Sequence, residues 1–372
     1  MKAGGVDLAH LDRALALAER GRYGTPPNPM VGAVIVRRGR VVAEAYHRRA
    51  GGDHAEIAAL RAAGSRARGA DLYLTLEPCV HQGRTPPCAP RVAASGIRRV
   101  VVAATDPNPL VSGRGVRALR RAGVEVTLAP PAWRDRAAEQ NAKFREFMEN
   151  GRPLVLAKWA ATLDGRIASA RGESRWITGE AARRRALLLR EEYDAVLVGA
   201  GTVRADDPRL TRRLGKARGR PHWRIVLDGR LRLPETARVL RGPGERVVAT
   251  ALPETHPKAR RLAARGIRVW SVPATRPRAS GGGVDLARLL QVLARHGVTS
   301  LMVEGGGGTL GAFFHAGLVN RVAVFLAPRI LGGARARGAV EGAGFRLADT
   351  PRLSGLRVER VGEDLLVTAR VQ

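Results

Sequence analysis

Apolar positions in the first third of the chain switch repeatedly between two spacings. Apolar residues that recur every three or four positions indicate amphipathic helices, and short aliphatic runs indicate strands. The predicted helices cover residues 8–19, 54–63, 90–95 and 116–121. The predicted strands cover residues 31–36, 41–46, 71–76, 99–104 and 124–128. This alternation predicts an α/β fold in which helices cover the faces of a sheet.

A change of pattern near residue 150 predicts a domain boundary. A charged, helix-like stretch over 133–149 ends at Asn150-Gly151, and a new apolar run begins after Arg152-Pro153. We therefore predict one domain over 1–150 and a second over 151–372. The second domain also alternates, with helices at 180–192 and 286–296 and strands at 195–198 and 224–227. The stretches 209–243 and 273–283, rich in Arg, Pro or Gly, are predicted to be mainly loops.

The composition agrees with two folded domains. The chain has 372 residues, of which 45% are hydrophobic and 26% are charged, so each half can bury a core. It has no visible export signal and no long apolar run, which predicts a cytoplasmic protein that does not enter a membrane. Its two cysteines, Cys79 and Cys88, are too few for a disulfide framework and require another explanation.

The chain is strongly basic, with 64 Lys and Arg against 33 Asp and Glu and a net charge of +31. Only five of the basic residues are lysine. One interpretation is attraction to anions such as phosphorylated metabolites, a dinucleotide or nucleic acid. The other is a bias towards arginine on solvated faces. The even spread of arginine along the chain favours the second interpretation.

Three candidate metal ligands lie next to predicted elements. His54-Ala55-Glu56 opens a helix, Pro78-Cys79 follows a strand, and Cys88 adds a second thiolate. A catalytic zinc takes three protein ligands and lowers the pKa of a water in the fourth position. In the first helical turn, where the helix N-terminus favours its ionised form, Glu56 can take a proton from that water and pass it to a leaving group. A structural zinc site, or no metal, remains the alternative.

The arrangement H-x-E followed by P-C resembles the zinc-dependent nucleobase deaminases. Two residues separate the cysteines in most of them, whereas residues 80–87 intervene here. The segments TLEPCVHQGRTPPC over 75–88 and PNPMVG over 27–32 resemble the deaminase half of the bifunctional riboflavin-pathway deaminase–reductases. Gln82 departs from that pattern, since related sequences often have a ring-bearing or basic residue there.

This resemblance implies a cytidine-deaminase-like domain with three α/β/α layers and one Zn²⁺. The implied reaction removes ammonia from ring C2 of a 2,5-diaminopyrimidinone that carries a ribosylamino 5-phosphate. Asn28 is implied to bind this substrate. Within the loop between the cysteines, His81, Arg84 and Thr85 could donate to a phosphate or to the base edge, or could simply form a polar surface loop.

A glycine run in the second half is a candidate phosphate site. The sequence MVEGGGGTL over 302–310 predicts the end of a strand, a glycine loop and the start of a helix that ends near His315. Glycine lets a backbone approach a pyrophosphate, and the helix N-terminus directs N–H groups at it. The run lacks the G-x-G-x-x-G spacing, so a plain turn is the alternative.

Three further segments, over 157–168, 172–178 and 201–211, resemble the reductase half of the same family. The resemblance implies a dihydrofolate-reductase-like α/β fold, NADPH as cofactor and hydride delivery to C1′ of the ribosylamine in its open imine form. The residues implied to bind the cofactor are Ala160, Trp176, Thr202, Asp206, Gly306, Gly307 and Gly308. Those implied to bind the substrate are Ser174, Arg190, Leu210, Arg213 and Glu304.

The chemistry of some of these side chains supports the assignment. The guanidinium groups of Arg190 and Arg213 suit a sugar phosphate, and Glu304 can bind sugar hydroxyls or a ring amine. Other roles remain open, since Arg190 could belong to a solvated helix face, Asp206 to a turn and Trp176 to a core. The predicted partners are small phosphorylated pyrimidines and other copies of the chain, without nucleic acid or membrane.

The sequence is also compatible with three alternative functions. A nucleic-acid deaminase acting on transfer RNA would use the same zinc site, but the cysteine spacing differs and no RNA-binding module is visible. One half could be catalytically silent, although Glu56 and the glycine run are intact. A non-enzymatic zinc module would leave Glu56 and the second half unexplained.

Overall fold

The computed structural model describes residues 2–3, 6–83, 85–217, 219–274, 280–281 and 283–372. Its contacts divide the chain into two compact units, Met1–Gly151 and Arg152–Gln372. None of the helices among these residues has both the length and the apolar character needed to cross a membrane. Arg84, which the sequence proposed as a ligand donor, lies outside the described residues.

The first unit is built on a five-stranded sheet of order β4-β3-β5-β6-β7. Its strands, with a separate short pair at the start, are β1 (Lys2–Ala3), β2 (Val6–Asp7), β3 (Gly32–Arg37), β4 (Arg40–Tyr46), β5 (Asp71–Leu76), β6 (Arg99–Ala104) and β7 (Glu125–Leu128). Its helices are α1 (Leu8–Glu19), α2 (Ala55–Ala63), α3 (Cys88–Ala94), α4 (Arg114–Arg121), α5 (Pro131–Gln140) and α6 (Ala142–Asn150).

Helices cover both faces of this sheet. Apolar residues of α2, α3 and α4 form one core against it, and those of α1 and α5 form the other. Strands β5, β6 and β7 are parallel, so their carboxyl ends open at the same edge. The predicted three-layer α/β/α arrangement is therefore confirmed, with element ends shifted by one or two residues.

The prediction of a helix over 133–149 is wrong at one position. Asn141 has φ −101° and ψ 24°, which separates α5 from α6. The side chain of Asn141 is hydrogen-bonded to the backbone of Met30. A long-range contact of this kind cannot be read from local periodicity.

The second unit contains a nine-stranded sheet of order β13-β12-β11-β10-β16-β8-β17-β20-β19. The strands of this unit are β8 (Leu154–Thr162), β9 (Arg166–Ala168), β10 (Ala195–Gly199), β11 (Trp223–Leu227), β12 (Glu245–Thr250), β13 (Arg268–Ser271), β14 (Ser280–Gly281), β15 (Val284–Asp285), β16 (Ser300–Val303), β17 (Arg321–Ala327), β18 (Arg337–Gly338), β19 (Leu353–Val361) and β20 (Asp364–Val371). Its helices are α7 (Glu180–Glu192), α8 (Ala200–Asp206), α9 (Pro257–Ala264), α10 (Leu286–Arg295) and α11 (Gly307–His315).

Seven consecutive strands of this sheet, from β13 to β17, are parallel, and β20 and β19 complete it in antiparallel pairing. Strands β10 and β16 are buried at every residue. Strands that are buried on both faces have continuous apolar sequences, which is why both were visible as apolar runs. Within the stretch 209–243, β11 includes the predicted strand over 224–227, and a short 3₁₀ turn follows at Arg238–Leu240. Of the predicted loop over 273–283, residues 275–279 and 282 lie outside the described residues.

Candidate active sites

The first unit brings His54, Cys79 and Cys88 together at the carboxyl edge of its parallel strands. Their ligand atoms lie within 4.8 Å of one another. His54 Nδ1 is 3.7 Å from Cys79 Sγ and 3.2 Å from Cys88 Sγ. With ordinary Zn–S and Zn–N bond lengths, a tetrahedral zinc ion requires an N···S separation of about 3.5 Å. The three side chains therefore fit zinc, with His54 binding through Nδ1.

Local structure holds these ligands in place. His54 is the residue before α2, Cys88 is the first residue of α3, and the N–H groups of Cys88 and Ala89 donate to the carbonyl of Cys79. His54 Nε2 lies 3.4 Å from Thr85 Oγ1, a contact that orients the ring. A hydrogen bond from the Cys88 thiol, assisted by His54, lowers the pKa of Cys79, and the same hydrogen bond raises the pKa of Cys88. Cys79 is thus ready to act as a thiolate ligand.

Glu56 lies beside this cluster, in the first turn of α2, and only 4% of it is exposed. Burial raises its pKa, whereas His54 and the first-turn backbone lower it. The prediction that the helix N-terminus favours the ionised form describes only the smaller contribution. A raised pKa suits a carboxyl group that must carry a proton between two partners.

Asn28 is linked to the segment before His54 by His47, a residue that the sequence analysis missed. Asn28 Nδ2 is 3.1 Å from His47 Nε2, and His47 Nδ1 is 2.9 Å from the carbonyl of Asp53. Since a carbonyl only accepts, His47 carries its proton on Nδ1 and accepts from Asn28. Burial lowers the pKa of His47 and keeps it neutral. Its only signal in the sequence is a lone histidine directly after β4.

A second missed residue, Glu77, shapes the segment that leads to Cys79. Its carboxylate accepts from the N–H groups of Asp106, Gly113 and Val116 at 3.2, 2.8 and 2.9 Å. Glu77 therefore ties the end of β5 to the start of α4. Burial, with nearby Glu77 as a further cause, raises the pKa of Asp106 to about 7.

The second unit has a cavity of about 1120 Å³ at the carboxyl ends of its parallel strands. This cleft brings together all twelve residues that the sequence analysis assigned to cofactor and substrate. They are Ala160, Ser174, Trp176, Arg190, Thr202, Asp206, Leu210, Arg213, Glu304, Gly306, Gly307 and Gly308. Trp176 is 63% exposed, with the Arg183 guanidinium 4.6 Å from its ring, so it is not a core residue.

The glycines at the start of α11 differ in how much space a side chain would have. A Cβ on Gly307 would lie 2.5 Å from Glu341 Cγ, and one on Gly311 would lie 1.8 Å from the Glu341 carbonyl oxygen. These two glycines therefore let the segment around Glu341 pack on α11. A Cβ on Gly308 would lie 3.8 Å from its nearest neighbour, Glu341 Oε2, and Gly306 donates its N–H to Thr202 Oγ1. Gly308 therefore has the most open backbone of these glycines.

This difference predicts opposite outcomes for two neighbouring alanine substitutions. Gly307→Ala forces a clash and should destabilise the second unit by about 1–3 kcal/mol. Gly308→Ala has room and should leave the free energy of unfolding near wild type, while weakening dinucleotide binding about tenfold. Urea unfolding and NADPH titration of both variants measure this. Equal stability of the two variants would contradict it.

Arg190, Glu304 and Lys158 form a partly buried charged group in the cleft. Arg190 donates to both Glu304 carboxylate oxygens at 3.0 and 3.1 Å, and Lys158 Nζ is 3.5 Å from Glu304 Oε2. Burial alone would raise the pKa of Glu304, but Arg190 and Lys158 outweigh burial and lower it. Arg190 thus holds Glu304 and belongs to no solvated face. Lys158 was not singled out, although a lysine within an apolar strand is a visible signal.

A second group of arginines surrounds Arg213. Burial, followed by repulsion from Arg190, Arg209 and Arg238, lowers the pKa of Arg213. Guanidinium groups that converge in this way favour an anion between them. The backbone of this loop is held from behind, since Glu191 accepts from the N–H groups of Arg213 and Leu214 at 3.1 and 2.9 Å.

Both units match known protein families. Residues 153–367 match the family model of the RibD C-terminal domain, and residues 6–104 match that of the cytidine and deoxycytidylate deaminase zinc-binding region. Riboflavin biosynthesis protein RibD of Bacillus amyloliquefaciens is 42% identical over 97% of this chain and 95% of its own. The chain belongs to the RibD family. RibD of Escherichia coli K12 is 40% identical over 96% of this chain and 98% of its own.

Solved RibD structures share the fold of the whole chain. Acinetobacter baumannii RibD, form 1, has a TM-score of 0.86 at 37% identity and covers 97% of this chain and 98% of its own. A Thermotoga maritima diaminohydroxyphosphoribosylaminopyrimidine deaminase/5-amino-6-(5-phosphoribosylamino)uracil reductase has a TM-score of 0.83 at 33% identity, with 98% of each chain covered. This RibD-family chain accordingly carries a zinc-binding deaminase region and a reductase domain for riboflavin biosynthesis.

His222 gives this RibD-family chain a pH-dependent stability. It is buried, and Nε2 lies 2.8 Å from the carbonyl of Leu210. Burial lowers the pKa of His222 from 6.5 to about 4, so it stays neutral where the unfolded chain binds a proton. The contribution of His222 to the free energy of unfolding should therefore be complete above pH 6.5. It should fall by up to about 3 kcal/mol as the pH drops towards 4.

Urea unfolding followed by tryptophan fluorescence tests this across that pH range. His222→Gln keeps a donor for Leu210 but does not titrate, so its stability should change less steeply with pH. The difference between the two slopes isolates His222 from other titrating groups. Identical slopes for wild type and variant would show that His222 does not cause the effect.

Proposed function

We propose that this chain catalyses two successive steps of riboflavin biosynthesis. The first unit deaminates C2 of 2,5-diamino-6-(5-phosphoribosylamino)pyrimidin-4-one. The second unit reduces the ribosyl group to ribityl with NADPH, which gives 5-amino-6-(5-phosphoribitylamino)uracil. The observation that carries this proposal is that one chain holds both a three-ligand zinc site beside a buried glutamate and a cleft lined by converging arginines.

In the deaminase step, His54, Cys79 and Cys88 would hold a zinc ion, which would lower the pKa of a bound water to near neutrality. Glu56 accepts a proton from the water as the water oxygen bonds to C2, and it returns this proton to the amino group, which leaves C2 as ammonia. One N–H of the Asn28 amide donates to His47, which leaves the Oδ1 oxygen and the second N–H of this amide for the substrate. A carbonyl oxygen there suits the amino group or ring N–H of a pyrimidine.

In the reductase step, NADPH supplies the hydride. Eleven residues that line the cleft are Arg or Lys and five are Asp or Glu, which leaves a net charge of +6. The pyrophosphate and 2′-phosphate of NADPH, with the substrate phosphate, bring about five to six negative charges. We assign the substrate phosphate to Arg213 and its neighbouring arginines. We assign the sugar hydroxyls to Glu304 and Lys158, because their charges are held inside the cleft.

Exposed apolar residues support assembly with other copies of the chain. Leu353, Leu356 and Val358 are 47%, 59% and 57% exposed on β19, the last strand of the large sheet. An exposed apolar edge strand is a liability unless another chain covers it. We therefore propose a cytoplasmic homo-oligomer that takes small phosphorylated pyrimidines and does not bind nucleic acid or membranes.

The test supplies purified protein with the diaminopyrimidinone substrate, with and without NADPH. Ammonia should appear in both reactions, and NADPH should be oxidised only when substrate is present. Removal of zinc with a chelator should stop ammonia release, and added zinc should restore it. If the protein releases no ammonia from this substrate but deaminates transfer RNA, the proposed function is wrong.

A further inference from the structure

Asn141 links two distant parts of the first unit. It is 4% exposed and lies between α5 and α6. Its Oδ1 accepts from the N–H of Met30 at 2.7 Å, and its Nδ2 donates to the carbonyl of Met30 at 2.9 Å, across 111 residues of sequence. These two bonds resemble those that a neighbouring strand would make to a single residue. One side chain thus satisfies both backbone groups of Met30.

Met30 is an effective place to hold this segment. Residues 26, 27 and 29 are proline, and proline has no N–H with which to anchor the chain. Asn28 follows two of these prolines, donates its own N–H to the carbonyl of Thr25 and presents its side chain to His47. His47 in turn contacts the carbonyl of Asp53, directly before the zinc ligand His54. A shift of Met30 would therefore displace Asn28 relative to the metal ligands.

We propose that Asn141 is a positioning residue of the deaminase site, which acts through Met30 to place Asn28 against the pyrimidine. The inference rests on the proposed function, because it requires that Asn28 meets the substrate. Asn141 itself lies beyond residues 6–104, the part of the chain that matches the deaminase zinc-binding region. It adds a contribution to that site from the helices that follow the match.

The geometry requires an amide at this position, because one oxygen must accept and one nitrogen must donate. Asn141→Asp has the same shape but, when ionised, turns an acceptor towards the carbonyl of Met30. We expect its KM for the deaminase substrate to rise about tenfold with kcat changed less than about twofold, since an unmade buried hydrogen bond is costly. As pH is lowered, protonation of this Asp restores a donor, so the ratio of variant KM to wild-type KM should fall.

Gln140 provides a matched control at the same helix junction. Its Nε2 donates to the carbonyl of Leu15 at 2.9 Å and to Glu19 Oε1 at 2.8 Å, so both of these bonds tie α5 to α1. Gln140→Glu makes the same amide-to-carboxylate change and should keep the wild-type KM, even where it lowers thermal stability. Reductase activity with the deaminated intermediate should be unchanged in both variants.

Asn141→Ala provides a second variant if the aspartate variant does not fold. It removes both hydrogen bonds without adding charge, so its KM should rise without the pH-dependent recovery. Asn28→Ala tests the underlying function. If Asn28→Ala raises KM but the Asn141 variants do not, the inference is wrong and the proposed function stands.

Two other results also count against the inference. Equal KM increases in the Asn141 and Gln140 variants would mean that Asn141 only stabilises the helix junction. An unchanged KM in Asn28→Ala would remove the proposed substrate contact, and the inference would fail together with that part of the proposed function.

Discussion

Glu56→Gln should reduce ammonia release from the diaminopyrimidinone by at least about 100-fold while zinc content stays at the wild-type level. General acid–base groups contribute about 10²–10⁴-fold to rate, and Gln keeps the shape of the side chain without the ability to carry a proton. Glu56 lies beside the cluster but is not one of its three ligands, so the metal should remain bound. Ammonia assays and metal analysis of the same preparation measure both quantities.

The second activity of the chain provides the internal control for this variant. Given the deaminated intermediate, Glu56→Gln should oxidise NADPH at the wild-type rate. Glu44→Gln, which alters an exposed glutamate paired with Arg13 in the same unit, should keep both activities. Ammonia release within tenfold of wild type would exclude Glu56 as the proton carrier, and loss of zinc would mean that the carboxylate supports the metal site.

Glu304→Gln should have the converse effect and reduce NADPH-dependent turnover of the deaminated intermediate by about 100-fold. The substitution removes the negative charge between Arg190 and Lys158, which leaves two partly buried cations without their common partner. It also removes the carboxylate that we assign to the sugar. Single-turnover oxidation of NADPH measures the loss, and ammonia release from the first substrate should be unchanged.

Glu235→Gln is the matched control for this variant, because Glu235 forms an exposed ion pair with Arg261 in the same unit. It should retain both activities. A mixture of Glu56→Gln and Glu304→Gln proteins should again form the ribitylamine product, since each variant keeps the step that the other lacks. Failure of the mixture, with each variant active in its own step, would show that the intermediate does not pass between proteins through solution.

Several features of the first unit follow from short-range sequence alone. His54 and Glu56 are two residues apart at the start of one helix, and Cys79 directly follows the strand that carries it to the sheet edge. Periodicity predicts these elements, because the faces of each helix and strand must match a core. The spacing of the motif then identifies the metal ligands and Glu56, the proposed proton carrier, without knowledge of the remaining fold.

For the glycine loop, the sequence predicted the correct location but explained only some of its glycines. The run of glycines predicted a phosphate site at the start of α11, and the structure places the loop in the cleft. Gly307 is small for another reason, because the segment around Glu341 packs against it. Local composition cannot distinguish a backbone open to a ligand from a backbone covered by a distant segment.

By itself, the sequence determined the elements of the first unit, part of those of the second, and the zinc ligands with Glu56, while its resemblance to a known family supplied the residues that meet in the reductase cleft. Only the tertiary structure decided that His47 orients Asn28, that Asn141 holds Met30, and that Arg190 pairs with Glu304. The physical reason is distance along the chain, since Met30 and Asn141 are 111 residues apart and Arg190 and Glu304 are 114 apart. Helical and strand periods describe neighbours, whereas these hydrogen bonds exist only once the folded sheets bring the partners together.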